Sequence, residues 1–221
     1  MQFLSEHSVM AGVVARSYIS SIMPITSKTE GVESIPSYLN RLARHNNRKP
    51  DFMIRAYAKT RCGNPKSFAK YYTRSSAAEL SLIFDPQYAK KMVDLIEFYT
   101  GKKDIFEIYS VDMALLLDVL ERNSPDTYKW CSCCLAAQRI KYFPLHWQFS
   151  EITTCHIHKT TLSKFCPCCK KKPQLLKLSS VVGYCHHCGA DLRLATNQAS
   201  TSENELAASE KIMRMLSGDY C

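Results

Sequence analysis

The chain of 221 residues has no apolar run long enough to cross a membrane, no histidine two positions before a glutamate, and almost no carboxylate in its cysteine-rich part. Each absence excludes a class. A membrane helix needs about 20 consecutive apolar residues, and the fairly apolar stretch from Ser8 to Met23 is interrupted by Arg16. No basic residues precede that stretch as they would in a secretory leader, so the sequence predicts a cytoplasmic chain with reduced thiols. Deamination on a zinc-bound water requires a His-x-Glu pair, and this is missing. Residues 128–195 contain only Glu151 and Asp191 as carboxylates, too few for the clustered acids of a two-metal nuclease. The chain therefore reads as a protein without catalytic activity of its own.

What the sequence has instead is cysteine, unevenly placed. Nine of the eleven lie between Cys131 and Cys188, while Cys62 and Cys221 stand apart. An odd total and this clustering do not fit a fully bridged secreted scaffold. Cys166-Pro-Cys-Cys169 and Cys185-His-His-Cys188 are fifteen residues apart, the spacing at which two short turns each offer two thiolates to one tetrahedral ion. Upstream, Cys131-Ser-Cys-Cys134 is followed twenty residues later by Cys155-His-Ile-His158, a Cys3His arrangement. Thiolate softness and a closed shell of four point to structural zinc, two ions per chain. Cys133 rivals Cys134, and His156 rivals His158, as the upstream donor. Cys168, His186 and His187 are extra donors downstream, where the Cys-x-x-Cys register already fills four positions.

Charge is uneven too. The net +9 divides into 0 for residues 1–30, +3 for 31–127, +8 for 128–195 and −2 for 196–221. Residues 41–74 carry Arg41, Arg44, Arg48, Lys49, Arg55, Lys59, Arg61, Lys66, Lys70 and Arg74 against Asp51 alone, interleaved with Phe52, Tyr57, Phe68, Tyr71 and Tyr72. Such a block suits contact with phosphates and bases, or with a partner. The plainer reading makes the cations a solvated helix face and the aromatics core.

Periodicity organises the rest. The expected architecture is mainly α with small zinc-ribbon β hairpins: an N-terminal extension (1–30), a helical, helix-turn-helix-like domain (31–127), a tandem zinc-finger domain (128–195), and a linker with a C-terminal helix (196–221). Ile35, Tyr38, Leu39, Leu42 and Ala43 have helical spacing from a cap near Glu33 to Ser34, with Ser37 and Asn40 expected to face outward. A second helix should run from about Pro50 to Lys59. Asp85-Pro86 opens another, carrying Leu95 and Ile96 and stopping at Thr100-Gly101. A short helix near 103–108 completes a helix-turn-helix-like layout over residues 85–110, and another helix is expected near 111–122. Strand-like pieces are expected at Ile140 to Phe143, Trp147 to Thr154 and Tyr184, and a last amphipathic helix at Glu205 to Leu216.

An ordered set of motifs resembles the TniQ family. These are Glu33-Ser-Ile-Pro-Ser-Tyr-Leu-Asn-Arg-Leu-Ala-Arg44, the helices around Gly101, Cys131-x-x-Cys134-Leu-Ala and Leu145-His146-Trp147. They continue with Cys155-x-x-His158-Lys-Thr-Thr-Leu, Phe165-Cys-Pro-Cys-Cys169 and Cys185-His-His-Cys188-Gly-Ala-Asp-Leu, so the resemblance covers roughly residues 32–195. It implies a bacterial, nucleoid-associated target-selection adaptor of transposons, without enzymatic activity. Such an adaptor links a CRISPR effector with guide RNA, or target DNA, to an AAA+ ATPase; a homodimer is compatible with this role. The resemblance implies Cys131, Cys134, Cys155 and His158 as ligands of one ion, and Cys166, Cys169, Cys185 and Cys188 of the other. His146 and Trp147 are expected to pack between the two lobes. A second class of function is a zinc-containing helix-turn-helix transcription regulator that binds DNA directly.

Overall fold

A computed structural model describes residues 19–26, 31–61, 94–102, 128–196, 198–199 and 202–217. Helix α1 (Ile35–His45) starts after Ser34, which is extended, and has Pro36 in its first turn, where a missing N–H is harmless. It ends at Asn46, and Asn47 takes a positive φ of 53° that lets the chain turn into α2 (Pro50–Arg61). Asp51 lies at the positive end of that helix, as expected. Residues 94–100 form α3, closed by Gly101 at φ 69°, whose N–H returns to the Glu97 carbonyl at 2.8 Å.

Tyr38, Leu39, Leu42 and Ala43 of α1 bury against Met53, Ile54 and Tyr57 of α2 and Leu95 and Ile96 of α3. Leu176, from the cysteine-rich segment, is a fully buried member of the same core. A second core gathers Trp130, Leu135, Phe143, Trp147 and Phe149 with the metal-turn cysteines. The C-terminal helix α5 (Glu203–Ser217) covers it through Ile212. Among the described residues, no helix is long and apolar enough to cross a membrane.

Two expectations change. Ser37 and Asn40 do not face outward; both are buried. Ser37 Oγ accepts from the Phe143 N–H at 3.0 Å, and Asn40 Nδ2 donates to the Leu175 carbonyl at 2.5 Å. The reason lies in the partner: residues 128–195 present backbone groups without a sheet to pair them, and buried backbone groups need partners. The expected hairpins are also replaced. Among the described residues pairing is limited to isolated bridges, such as Trp130 with Ser163, Thr154 with Thr161 and Tyr184 with Asp191. Trp147 sits in a 3-10 turn, Leu145–Gln148, and Ile140 to Phe143 joins no ladder. Among the described residues the regular structure is mostly helical, with few strand-like pairings. Most of the helix-turn-helix-like unit, the helices expected at 103–108 and 111–122, and the 62–75 part of the basic loop lie outside the described residues.

Before α1, the strand-like stretch Val32 to Ser34 runs beside Phe143 to Leu145. Ser34 N–H donates to the Phe143 carbonyl at 2.9 Å and Leu145 N–H to that of Val32 at 2.7 Å. Glu33, between them, is fully buried. Its carboxylate accepts from Ser37 Oγ (2.8 Å), the Ile25 N–H (3.1 Å) and the Arg41 guanidinium. Burial pushes its pKa above the usual carboxylate value in spite of Arg41. Removing one member of a buried ion pair strands the other, so Glu33→Ala should cost about 3–5 kcal/mol in urea unfolding. Arg55→Ala, which opens the half-exposed Arg55–Asp51 pair, should cost under about 1 kcal/mol. Equal losses from the two would contradict the role given to Glu33.

Candidate metal centres

Two groups of four donors converge, Cys131, Cys134, Cys155 and His158, and Cys166, Cys169, Cys185 and Cys188, with ligand atoms in each group within 4.8 Å of one another. Cys131 caps the short helix α4 (Ser132–Ala137), its sulfur accepting from the Cys134 N–H at 3.5 Å. A helix turn puts residues i and i+3 on one side, so Cys134 joins Cys131 while Cys133 is exposed. On the facing turn, His158 presents Nδ1, and its N–H donates to Cys155 Sγ at 3.4 Å. His156, one residue after Cys155, turns away toward His146, ring centroids 5.4 Å apart.

The spacings suit a tetrahedral ion. Metal–sulfur bonds of about 2.3 Å and metal–nitrogen bonds of about 2.05 Å put neighbouring sulfurs roughly 3.8 Å apart and sulfur and nitrogen roughly 3.6 Å apart. The corresponding distances are 3.5 Å for Cys134–Cys155, and 3.5, 3.2 and 3.7 Å from His158 Nδ1 to Cys131, Cys134 and Cys155. Downstream, Cys166–Cys188 and Cys169–Cys185 are both 3.7 Å. Both groups therefore could hold a metal ion, and both would be closed by protein donors alone.

Three of the four turns share one backbone design. Cys155, Cys166 and Cys185 each donate N–H to the carbonyl five residues on (Thr160, Lys171, Ala190). Each also accepts, at its own carbonyl, from the N–H four residues on (Lys159, Lys170, Gly189), all at 2.8–3.0 Å. The residue at that fourth position takes a left-handed conformation: Lys159 φ 53°, Lys170 φ 58°, Gly189 φ 75°. Sequence reasoning missed these positions, although Gly189 just past Cys188 is the visible signal. It also missed Trp130, whose indole N–H donates to the Leu192 carbonyl at 3.0 Å and ties one lobe to the other.

The thiols of each group compete for charge. Hydrogen bonds from Cys134 and Cys155 draw the Cys131 pKa far down, while the same contacts push Cys134 up. The contact with Cys131 pushes Cys155 to about 11. Downstream, the Ala190 N–H lowers Cys188 to about 7, and burial raises Cys185 to about 12. An ion needs thiolates, so binding expels these protons and affinity falls as pH falls. His186 lies outside its group: burial lowers its pKa to about 4, and its Nδ1 accepts from the Gln174 N–H at 2.9 Å. His187 stacks on it at 3.8 Å, and Cys168 is exposed.

His146 is buried at the rim of the second core, where a Cβ on Gly31 would come within 2.9 Å of its Nδ1 and 3.4 Å of Met213. Trp147 packs edge-on to Phe143 at 5.6 Å. Within the basic block, Arg41 serves Glu33, and Arg44 donates to the carbonyls of Ser180 (3.0 and 2.6 Å) and Leu178 (3.2 Å). These two hold the molecule together. Arg48, over the exposed Phe52 ring at 5.8 Å, and Lys49, Arg55 and Lys59 reach the surface. Tyr57 is core. The side chains of Arg61, Lys66, Lys70 and Arg74 lie outside the described residues.

The family model of TniQ matches residues 24–162, a span that includes α1, α2 and the whole upstream group and stops before Cys166. No curated protein matches.

Metal content measured on purified protein should stay at two ions per chain in Cys133→Ser and fall to one in Cys134→Ser; the reverse would reassign the ligand. With metal in excess, Gly189→Ala should lower unfolding stability by about 1–2 kcal/mol through its left-handed backbone alone, since a Cβ there meets nothing within 4 Å. Lys170→Gly should not lower it, because the sister turn already has glycine at this position.

Proposed function

This chain belongs to the TniQ family, and on that premise we propose that it is a non-enzymatic adaptor in DNA transposition, held in shape by two zinc ions. The observation that carries the reading is the matched span itself, which joins the opening helix to the upstream metal turns. Zinc suits seven thiolates and one imidazole in two closed tetrahedra better than a hard, oxygen-seeking cation does. Four protein donors at each ion leave no position for a reacting water, which supports a structural rather than a catalytic role. Within residues 128–195 the carboxylates are still only Glu151, half-buried, and Asp191, which is engaged with Arg193.

An adaptor must present two faces in a fixed relation. Here α1 and the metal segment are locked together by the Ser34–Phe143, Val32–Leu145, Ser37–Phe143 and Asn40–Leu175 bonds. One face then meets the target-recognition complex, a CRISPR effector with guide RNA or the target DNA. The other meets the AAA+ ATPase. Metal-loaded full-length chain should co-purify with the ATPase encoded at its own locus and with either the effector or the target DNA. Stripping the ions with a chelator should abolish both associations, because the turns that each ion would close carry core residues, Cys131, Cys155, Cys166 and Cys185 among them, and lose their long-range link without it. Loaded protein that retained neither partner would end the proposal.

A further inference from the structure

The turn that carries Cys166 and Cys169 has a second feature unrelated to holding an ion. Phe165, immediately before Cys166, leaves 53 % of its surface in water. Close to it in sequence lie Lys164, Lys170, Lys171, Lys172 and Lys177, and no acidic residue occurs between Glu151 and Asp191. Lys170, Lys171 and Lys172 are exposed, and the Lys172 ammonium stands 5.7 Å from the Phe165 ring centroid. We propose that this turn is a single-stranded nucleic-acid contact, with Phe165 stacking on an unpaired base and Lys170, Lys171 and Lys172 meeting the flanking phosphates.

Charge compensation by itself does not account for the arrangement. Four thiolates around a dication leave a net charge of about −2, which two lysines would balance; five are present. Nor does compensation explain an apolar ring held in water, where each Å² of apolar surface forgoes about 25 cal/mol of burial. A ring flanked by cations is the combination that binds unstacked bases, whose faces a duplex conceals. The turn is also pre-shaped: Cys166 N–H to the Lys171 carbonyl at 2.9 Å and Lys170 N–H to the Cys166 carbonyl at 3.0 Å fix the backbones of Lys170 and Lys171, which lowers the ordering cost of binding. The family match ends at residue 162, before any of these residues.

The inference rests on the adaptor reading, since it names what one face of that adaptor touches. Its test uses the zinc-loaded full chain and a fluorescent 20-nucleotide mixed-sequence strand, as RNA, as DNA, and as the DNA duplex, titrated across a salt series. Phe165→Ala should weaken binding of the single strands by about 10-fold and leave duplex binding unchanged. Replacing Lys170, Lys171 and Lys172 together with Gln should lower the slope of log affinity against log salt by about 2. A larger effect on RNA than on DNA identifies a guide-type ligand, and the reverse identifies a displaced DNA strand. Retained zinc content and Phe165→Tyr, which keeps a stacking ring and should bind like the parent, separate lost stacking from lost folding. Equal losses on strand and duplex, no loss in Phe165→Ala, or binding of poly-glutamate as tight as that of the strands would overturn the proposal. If the parent chain bound no strand yet still co-purified with the ATPase, this site would fall while the adaptor reading stood.

Discussion

The convergence of four donors at each of two points is the constraint on which the second half of the chain depends. Residues 128–195 have little regular structure to fix their path: pairing is by single bridges, and helix is confined to the short α4 and two 3-10 turns. Its apolar core, built on Trp130, Phe143, Trp147 and Phe149, is gathered from loops that no ladder joins. An ion held between two such turns would supply the missing long-range closure. Trp130, bonded to Leu192, then joins the two lobes.

The same scarcity of sheet structure explains why the helical and metal-binding parts are fused. Backbone groups that no ladder satisfies must find other partners, and α1 provides them from what would ordinarily be its solvent face. Ser37 serves Phe143, Asn40 serves Leu175, and Arg44 serves Leu178 and Ser180. Glu33 and Arg41 form the buried charged link at the start of that helix. Leu176 completes the exchange by entering the helical core. Rigidity between the parts is therefore built from polar side chains of α1 on backbone carbonyls and N–H groups of the other segment, together with the backbone bonds of Val32 and Ser34 to Leu145 and Phe143.

Much of the metal chemistry was legible in the spacing of the cysteines, because a tetrahedral ion demands two turns of two donors and few sequences offer this twice. The choice between Cys133 and Cys134, and between His156 and His158, was not legible. It depends on the direction in which each Cβ leaves its turn, and the i to i+3 geometry of α4 and of the Cys155 turn decides it. Helix α1 was legible from apolar periodicity, and α2 from Pro50 and Asp51 at its start. Strand-like runs such as Trp147 to Thr154 misled because aromatic and β-branched residues serve a compact core as readily as a ladder, and Trp147 and Phe149 are buried there.

By itself the sequence determined the spacing of the donor turns, the apolar stripe of α1 and the concentration of positive charge, all of which are local patterns. Only the tertiary structure decided the fate of the polar residues. Asn40 and its partner Leu175 are 135 positions apart, and Arg41, Arg44 and Arg48 look alike as a run of cations although the first two are bound inside the molecule and the third is exposed. A side chain's periodicity says which face it occupies. What covers that face is set by backbone groups brought from far along the chain, and these leave no local pattern in the sequence.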